Sequence, residues 1–307
     1  MTRHALAVLA LAAACSARND RALAQMPGQG GIQQRTDPAP PEPPASGDGP
    51  ARSVPPTGSP AAPEAQTAPA APAAGQEAIT TILDAAEAAG ERLDSMACTV
   101  IIEKRDALTD DVERRRGRLV LQGSAGPSRR IALRIDQFID GTGRASEDRR
   151  LFLYRDGWLI ERDDTRKQQI ERQLVAEGTS MDPLQPGEGP LALPVGARRS
   201  EVLANYIVTA TTLPESPLWK DLPASDVLCL VPRPSTPAAR DAKQLIVAWD
   251  RATSLPIAVV RDSTEGDRTI ARLRSVEVGP LNDADRALVD LPAAAEGWTV
   301  DRRPLKP

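Results

Sequence analysis

Among the side chains that could perform acid–base or nucleophilic chemistry, carboxylates are numerous in this sequence, whereas histidine and cysteine are rare. Its single histidine, His4, lies at the start of an apolar leader. A mature chain without that leader would contain no histidine, which excludes serine–histidine triads, cysteine–histidine pairs and histidine-ligated metals. The 42 Asp and Glu residues could supply a carboxylate pair, but no spacing singles one out. The sequence therefore predicts a protein that is not an enzyme and that uses no metal or other cofactor.

The three cysteines are the remaining chemically distinctive groups. Cys98 and Cys229 lie in apolar strand patterns. In an oxidising compartment they could form a disulfide, but buried free thiols are predicted because free cysteine is readily buried. Cys15 follows Ala12–Ala14, a sequence similar to a bacterial lipobox, in which the cysteine is lipidated and becomes the mature N-terminus.

Residues 1–24 are interpreted as a signal peptide for export. A short basic start precedes an apolar run, Ala5–Ala14, which is too short to span a bilayer and fits the hydrophobic region of a secretory signal. Two cleavage sites stay open. One is the lipobox at Cys15, and the other is the A-x-A sequence Ala22–Ala24. Export is predicted in both cases, with a lipid anchor only in the first.

The stretch after the leader has a different composition from the rest of the chain. Residues 25–75 consist mainly of Pro, Ala, Gly, Ser and Gln. Such a segment buries too little apolar surface to offset its ordering entropy, which predicts a disordered, partly polyproline-II linker. At ~3.1 Å per residue, roughly 50 residues reach at most on the order of 150 Å. If Cys15 is lipidated, the linker is a tether. Residues 76–307 are predicted to form the single folded domain in either case.

The charge balance argues against a nucleic-acid partner. The formal net charge is -4, so neither a basic footprint nor an acidic tail is indicated. Basic residues cluster locally at Arg114–Arg116 and Arg149–Arg150, where acids are interleaved with them. Because exposed charge is the default, these runs are interpreted as solvated strand edges and turns.

The predicted domain begins with an amphipathic helix over Glu77–Met96. Short strands follow, with turn signals roughly every 8 to 12 residues, which predicts one antiparallel sheet, open or nearly closed. Asp156-Gly157 is a two-residue hairpin signal, and residues 178–199 form a Gly/Pro loop long enough to be a lid or a plug. The apolar stripe of the helix recurs at three- and four-residue steps and is predicted to cover one sheet face: Ile79, Ile82, Leu83, Ala86, Ala89 and Leu93.

The best-patterned stretch, Gln244–Val278, organises the predicted sheet. Leu245, Val247 and Trp249 fall on one face of a strand that is read with period two. A polar turn leads into a return strand over Leu255–Val260, and a second polar turn leads into a third strand. Short β-rich runs divided by Asp, Ser, Thr and Gly clusters are typical of antiparallel hairpins. This stretch is therefore predicted to be a three-stranded meander.

Six short stretches follow one another among these elements: Gly117–Leu121, Arg130–Leu133, Asp156–Ile160, Val227–Pro232, Leu245–Asp250 and Leu255–Ile257. Over about Ile79–Val300, this ordered set resembles the LolA-like family of periplasmic lipoprotein carriers. The resemblance implies a mainly β fold with a few helices, namely an antiparallel open β-barrel or half-barrel whose concave face is covered by helices and binds acyl chains. An arginine on an early strand matters in the family, and Arg130 is the nearest match, with Arg129 an ambiguous neighbour.

Carriers of this kind take a lipoprotein from an inner-membrane ABC exporter and deliver it to an outer-membrane acceptor. Burial of one CH₂ group contributes ~0.8 kcal/mol, so an acyl chain leaves a membrane only for an apolar cavity worth on the order of 10 kcal/mol. The alternative is that the residues predicted to line this cavity form an ordinary packed core. They are Leu133, Trp158, Ile160, Val247, Trp249 and Val259.

The leading hypothesis is an exported, monomeric carrier that binds lipoprotein acyl chains or related lipids and moves them across the periplasm towards the outer membrane. A second hypothesis is a tethered envelope sensor of the same fold, as in RseB-type stress regulators, without transport activity. The long linker motivates the second hypothesis. An acylated Cys15 would favour an anchored acceptor or sensor, whereas a mature N-terminus near Gln25 would favour a soluble shuttle.

Overall fold

The computed structural model describes residues 73–124, 126, 128–176, 179, 184 and 195–305. The predicted signal peptide, Cys15 and all but the last three residues of the predicted linker lie outside this part of the chain. Most of the predicted lid or plug loop also lies outside it. Within the described ranges, no helix is long and apolar enough to cross a membrane.

The described residues form three α-helices and twelve strands. The helices are α1 (Ala73–Glu91), α2 (Arg199–Asn205) and α3 (Asp283–Val289). The strands are β1 (Ser95–Arg105), β2 (Val112–Gln122), β3 (Arg130–Ile139), β4 (Ala145–Arg155), β5 (Trp158–Asp163), β6 (Gln168–Gln173), β7 (Tyr206–Ala210), β8 (Ser225–Pro232), β9 (Ala242–Asp250), β10 (Pro256–Ser263), β11 (Arg268–Val278) and β12 (Thr299–Arg303).

One sheet contains all twelve strands, in the order β12-β6-β5-β4-β3-β2-β1-β11-β10-β9-β8-β7. The first six strands form one meander, β7 to β11 form a second, and pairing of β1 with β11 joins the two. Strands β7 and β12 are the two edges, so the sheet is open and not closed into a barrel. The predicted mainly β, open architecture is therefore confirmed, and the predicted meander Gln244–Val278 corresponds to β9, β10 and β11.

Helix α1 spans Ala73–Glu91, so the predicted range Glu77–Met96 is wrong at both ends. The amide of Leu93 donates to the carbonyl oxygen of Gly90 at 3.3 Å in a turn that follows the helix. Met96 is already in β1 and alternates with Cys98 and Val100 toward the same apolar cluster. An apolar residue near an element boundary fits both periodicities, which explains the error.

The two faces of the sheet are covered by different elements. The α1 face is the one that carries Val100, Leu133 and Val247, and α1 and α2 pack against it. The opposite face, here called the α3 face, carries Val120 and Leu153, which cluster with the side chain of Val289 from α3. Helices therefore lie on both faces, whereas the prediction placed them over one.

Helix α3 has no counterpart in the sequence-based prediction. Its N-cap is Asn282, whose Oδ1 accepts from the amide of Asp285 at 2.9 Å. After α3 the chain reaches β12, which pairs with β6 in parallel. The prediction of a wholly antiparallel sheet is wrong at this edge, because the connection crosses the sheet through α3 instead of turning back in a hairpin.

Candidate functional site

The α1 face carries one apolar cluster that extends from β5 on one side to β7 on the other. Helix α2 contributes Val202 to it, and two described residues of the predicted loop, Leu184 and Val195, are also buried there. The stripe of α1 enters the cluster as predicted: Ile79, Leu83, Ala86 and Ala89 are buried in it, Leu93 continues it beyond the helix, and Ile82 packs against it while only partly buried. This cluster is the candidate site for an acyl chain.

Four of the six predicted cavity residues lie in this cluster. Leu133, Val247, Trp249 and Val259 come from β3, β9 and β10, and each is at most 3% exposed. Val247 and Val259 are cross-strand partners. Side chains this deeply buried contact protein atoms, so a lipid reaches them only when the elements that cover them move.

Trp158 and Ile160 lie on the α3 face, away from the other four. In the Asp156-Gly157 hairpin, Arg155 pairs directly with Trp158, so alternation places Leu159 on the α1 face. Ile160 clusters with residues of the α3 face. The guanidinium of Arg302 lies 4.4 Å from the centre of the Trp158 ring. The structure therefore does not bring these two residues into the apolar cluster of the α1 face.

The two candidate arginines also lie on opposite faces. Arg130 forms a partly exposed ion pair with Asp290, just beyond α3, with Nη1 and Oδ1 2.8 Å apart. Arg129 is completely buried, and its Nη1 donates to the carbonyl oxygen of Val195 at 3.2 Å. Arg129 is two residues from Ile131, which belongs to the α1-face cluster. Of the two neighbours, Arg129 is the one that contacts residues 195–198, the segment that leads into α2 and that together with α1 and α2 is here called the cover of the candidate site.

The cover is held together by contacts between α1 and the residues that lead into α2. A Cβ atom placed on Gly90 of α1 would lie 1.9 Å from Cα of Gly196, so the two backbones touch. The carboxylate of Glu87 accepts from the amide of Arg199, the first residue of α2, at 2.9 Å. The side chain of Arg199 also pairs with Asp84 at 2.7 Å. These contacts tie α1 and α2 to each other.

Trp249 carries a polar atom that the cluster does not satisfy. Its indole Nε1 is buried and has no hydrogen-bond partner within the described part of the chain. Trp219, on the α3 face, shows the usual arrangement, because its Nε1 donates to the carbonyl oxygen of Pro214 at 2.6 Å. A buried donor without an acceptor costs about 1–3 kcal/mol, so the difference between these two tryptophans is energetically significant.

A cleft of about 280 Å³ lies where β2 and β4 begin and where β3 and β5 end. One wall is Arg115, which is 3% exposed and lies 5.1 Å from the centre of the Phe138 ring. Asp148, also buried, accepts from Nε of Arg150 at 2.8 Å. The interpretation of Arg114–Arg116 as wholly solvated is therefore wrong for Arg115, because it pairs across the sheet with the buried residue Ile102.

Both described cysteines are free thiols, as predicted. Cys98 is fully buried on the α1 face, and desolvation by this burial raises its pKa to about 12. Cys229 is only partly buried and packs on the α3 face, so the prediction of complete burial holds for Cys98 alone. Within the described residues, no group of three or more His, Cys, Asp or Glu could hold a metal ion.

An ion pair fixes α3 to the sheet. Arg118 of β2 donates from Nε and Nη2 to the carboxylate of Asp285 at 2.9 and 2.7 Å. The hydrogen bonds from Arg118 lower the pKa of Asp285, and Asn282 adds to this effect at 2.7 Å. This two-point contact positions α3 and has a structural role.

Comparison with known proteins finds no matching family model and no matching curated protein. Several solved structures are similar to the chain at low identity. One is a putative outer membrane lipoprotein-sorting protein domain from Vibrio parahaemolyticus, with 11% identity over 70% of this chain and 98% of that chain and a TM-score of 0.34. Another is a LolA superfamily protein from Nitrosomonas europaea, with 13% identity, coverage of 67% and 95%, and a TM-score of 0.29. The Pseudomonas aeruginosa MucA/MucB complex gives 13% identity, coverage of 67% and 59%, and a TM-score of 0.39.

Proposed function

We propose that the protein is an exported, non-catalytic carrier that binds the acyl chains of lipoproteins or related lipids on the α1 face. It moves them across the periplasm towards the outer membrane, receiving them from an inner-membrane ABC exporter and releasing them to an outer-membrane acceptor. The observation that carries the proposal is the apolar cluster of the α1 face. Its cover consists of α1, α2 and residues 195–198, which pack onto the sheet without being strands of it.

An acyl chain could replace this cover at a smaller cost than exposure of the cluster to water. When α1 moves away, the apolar side chains of Ile79, Leu83, Ala86 and Ala89 leave the cluster. An acyl chain in their place again buries apolar surface, at ~0.8 kcal/mol per CH₂ group. Binding then costs the difference between two apolar contacts, not the exposure of a whole cluster to water.

Two matched valines test whether the lipid occupies the α1 face. Val247 and Val260 are both 0% exposed, but Val247 lies on the α1 face and Val260 on the α3 face. Threonine at either position buries a hydroxyl group and costs about 1–3 kcal/mol of stability. We expect Val247→Thr to weaken binding of a fluorescent fatty acid by about 3–10-fold, because the hydroxyl contacts the lipid.

Val260→Thr is the control, with the same loss of stability and unchanged lipid affinity. Unfolding by urea establishes that the two variants are equally destabilised. Equal weakening of lipid binding by both variants, or by neither, would contradict the proposed site. Failure of the native protein to bind any acyl lipid would contradict the proposed function.

A tethered envelope sensor is the second candidate, and the open edge at β7 favours it. Ile207 of β7 and Val231 of β8 are cross-strand partners, and they are 50% and 39% exposed. An uncharged edge with exposed apolar residues suits the addition of an extended strand from a protein partner. A sensor would bind such a partner and transfer no lipid between two vesicle populations, whereas a carrier would transfer it.

A further inference from the structure

The buried indole N–H of Trp249 indicates which class of lipid the α1 face accepts. We propose that Nε1 of Trp249 donates a hydrogen bond to the carbonyl oxygen of an ester- or amide-linked acyl chain. This inference rests on the proposed function and narrows it. The ligand is then an acyl group attached through a carbonyl, in preference to an ether-linked or plain hydrocarbon chain.

The position of Trp249 makes this donor available to a ligand and not to water. The side chain is 3% exposed and belongs to the same cluster as Val247 and Leu255. Its neighbours in this cluster are almost entirely apolar side chains, and no acceptor among the described residues meets Nε1. On folding, this N–H group loses its hydrogen bond to water and gains no acceptor among the described residues. A lipid that displaces the cover therefore reaches an unsatisfied donor.

The chemistry of the partner follows from that of the donor. An indole N–H can only donate, so its partner must present a lone pair. A carbonyl oxygen is a strong acceptor on the otherwise apolar body of an acyl lipid. An unmet donor penalises the ligand-free state, and a carbonyl removes that penalty on binding. The same hydrogen bond discriminates against ligands that lack the carbonyl.

Two lipids that differ only in this oxygen test the proposal on the native protein. The probes are 1-palmitoylglycerol, which has an ester, and 1-O-hexadecylglycerol, which has an ether. We expect the ester to bind about 5–10-fold more tightly, the ratio for one hydrogen bond of about 1 kcal/mol or slightly more. Trp249→Phe should bring the ratio close to one.

Trp219→Phe is the matched control, because it removes an indole whose N–H already donates to Pro214 on the other face. It should leave the preference for the ester intact. Retention of that preference in Trp249→Phe, or equal binding of the two probes to the native protein, would overturn the inference while leaving the proposed function standing. Absence of binding for both probes would overturn the proposed function itself, and the inference with it.

An NMR measurement gives the same test without a variant. The four tryptophans give four indole N–H resonances in ¹⁵N-labelled protein. The Trp249 resonance should shift strongly with the ester and weakly with the ether. A shift of equal size with both probes would contradict a hydrogen bond to the carbonyl.

Discussion

The contact between Gly90 and Gly196 offers a way to loosen the cover without touching the apolar cluster. In Gly90→Ala the new methyl group would lie 1.9 Å from Cα of Gly196, a distance that requires the backbones to separate. The separation stretches the hydrogen bond from the amide of Arg199 to Glu87 and the ion pair with Asp84. Gly75 lies in the same helix, and outside the helix's own backbone no atom of the described residues lies within 4 Å of its added Cβ, so Gly75→Ala is the matched control.

The magnitude follows from the contacts that are lost. A hydrogen bond to a carboxylate contributes about 1.5–3 kcal/mol, and an exposed ion pair at most about 1 kcal/mol. Alanine gains up to about 1 kcal/mol of helix propensity over glycine. We expect Gly90→Ala to lower the free energy of unfolding by about 1–3 kcal/mol, and Gly75→Ala to leave it unchanged or raise it slightly.

The functional consequence is measured as binding of a fluorescent fatty acid alongside urea unfolding. If the closed cover competes with the lipid, weakening it raises apparent lipid affinity, by up to about tenfold for 1.4 kcal/mol. Gly75→Ala should bind as the native protein does. A Gly90→Ala variant that is destabilised but binds lipid with unchanged affinity would refute the idea that the cover controls access.

Three further predictions concern parts of the fold outside the cover. Asp285→Asn should lower the free energy of unfolding at pH 7 by about 1.5–3 kcal/mol. Because the pKa of Asp285 is lowered in the folded protein, the native protein should lose this advantage over the variant as the pH falls below about 4. Urea unfolding at several pH values would reveal the loss. Cys98 should react with iodoacetamide far more slowly than Cys229 in the folded protein, and equal rates would contradict its burial and raised pKa. Trp298→Ala removes the ring on which Arg162 stacks at 4.1 Å and should cost about 0.5–1 kcal/mol, with faster amide exchange in β12; unchanged exchange would refute that role.

Local patterns predicted much of the sheet because they depend on neighbouring residues. The Asp156-Gly157 hairpin has positive φ angles of 51° and 78°, as a two-residue turn of this kind requires. The alternation of Val247 and Trp249 placed them correctly on one face. The assignment of faces across a turn was less secure, because a shift of one position reverses every side chain, and Trp158 was misplaced in this way.

Features that depend on distant parts of the chain could not be predicted. The seven residues of α3 are too few for a periodic signal, and their ion pair with β2 joins residues 167 positions apart. Arg129 and Arg130 are adjacent in sequence, yet only the pairing of β3 decides that Arg129 reaches the cover. The unsatisfied indole of Trp249 also emerges only from the packed structure.

An acyl chain bound on the α1 face would lie against side chains of β3, β9 and β10. Photo-crosslinking of the native protein with a diazirine-labelled palmitate, followed by residue-level mass spectrometry, locates the chain. We expect crosslinks to Leu133, Val247, Trp249 and Val259. Crosslinks confined to Leu153 and Ile160 of the α3 face would contradict it.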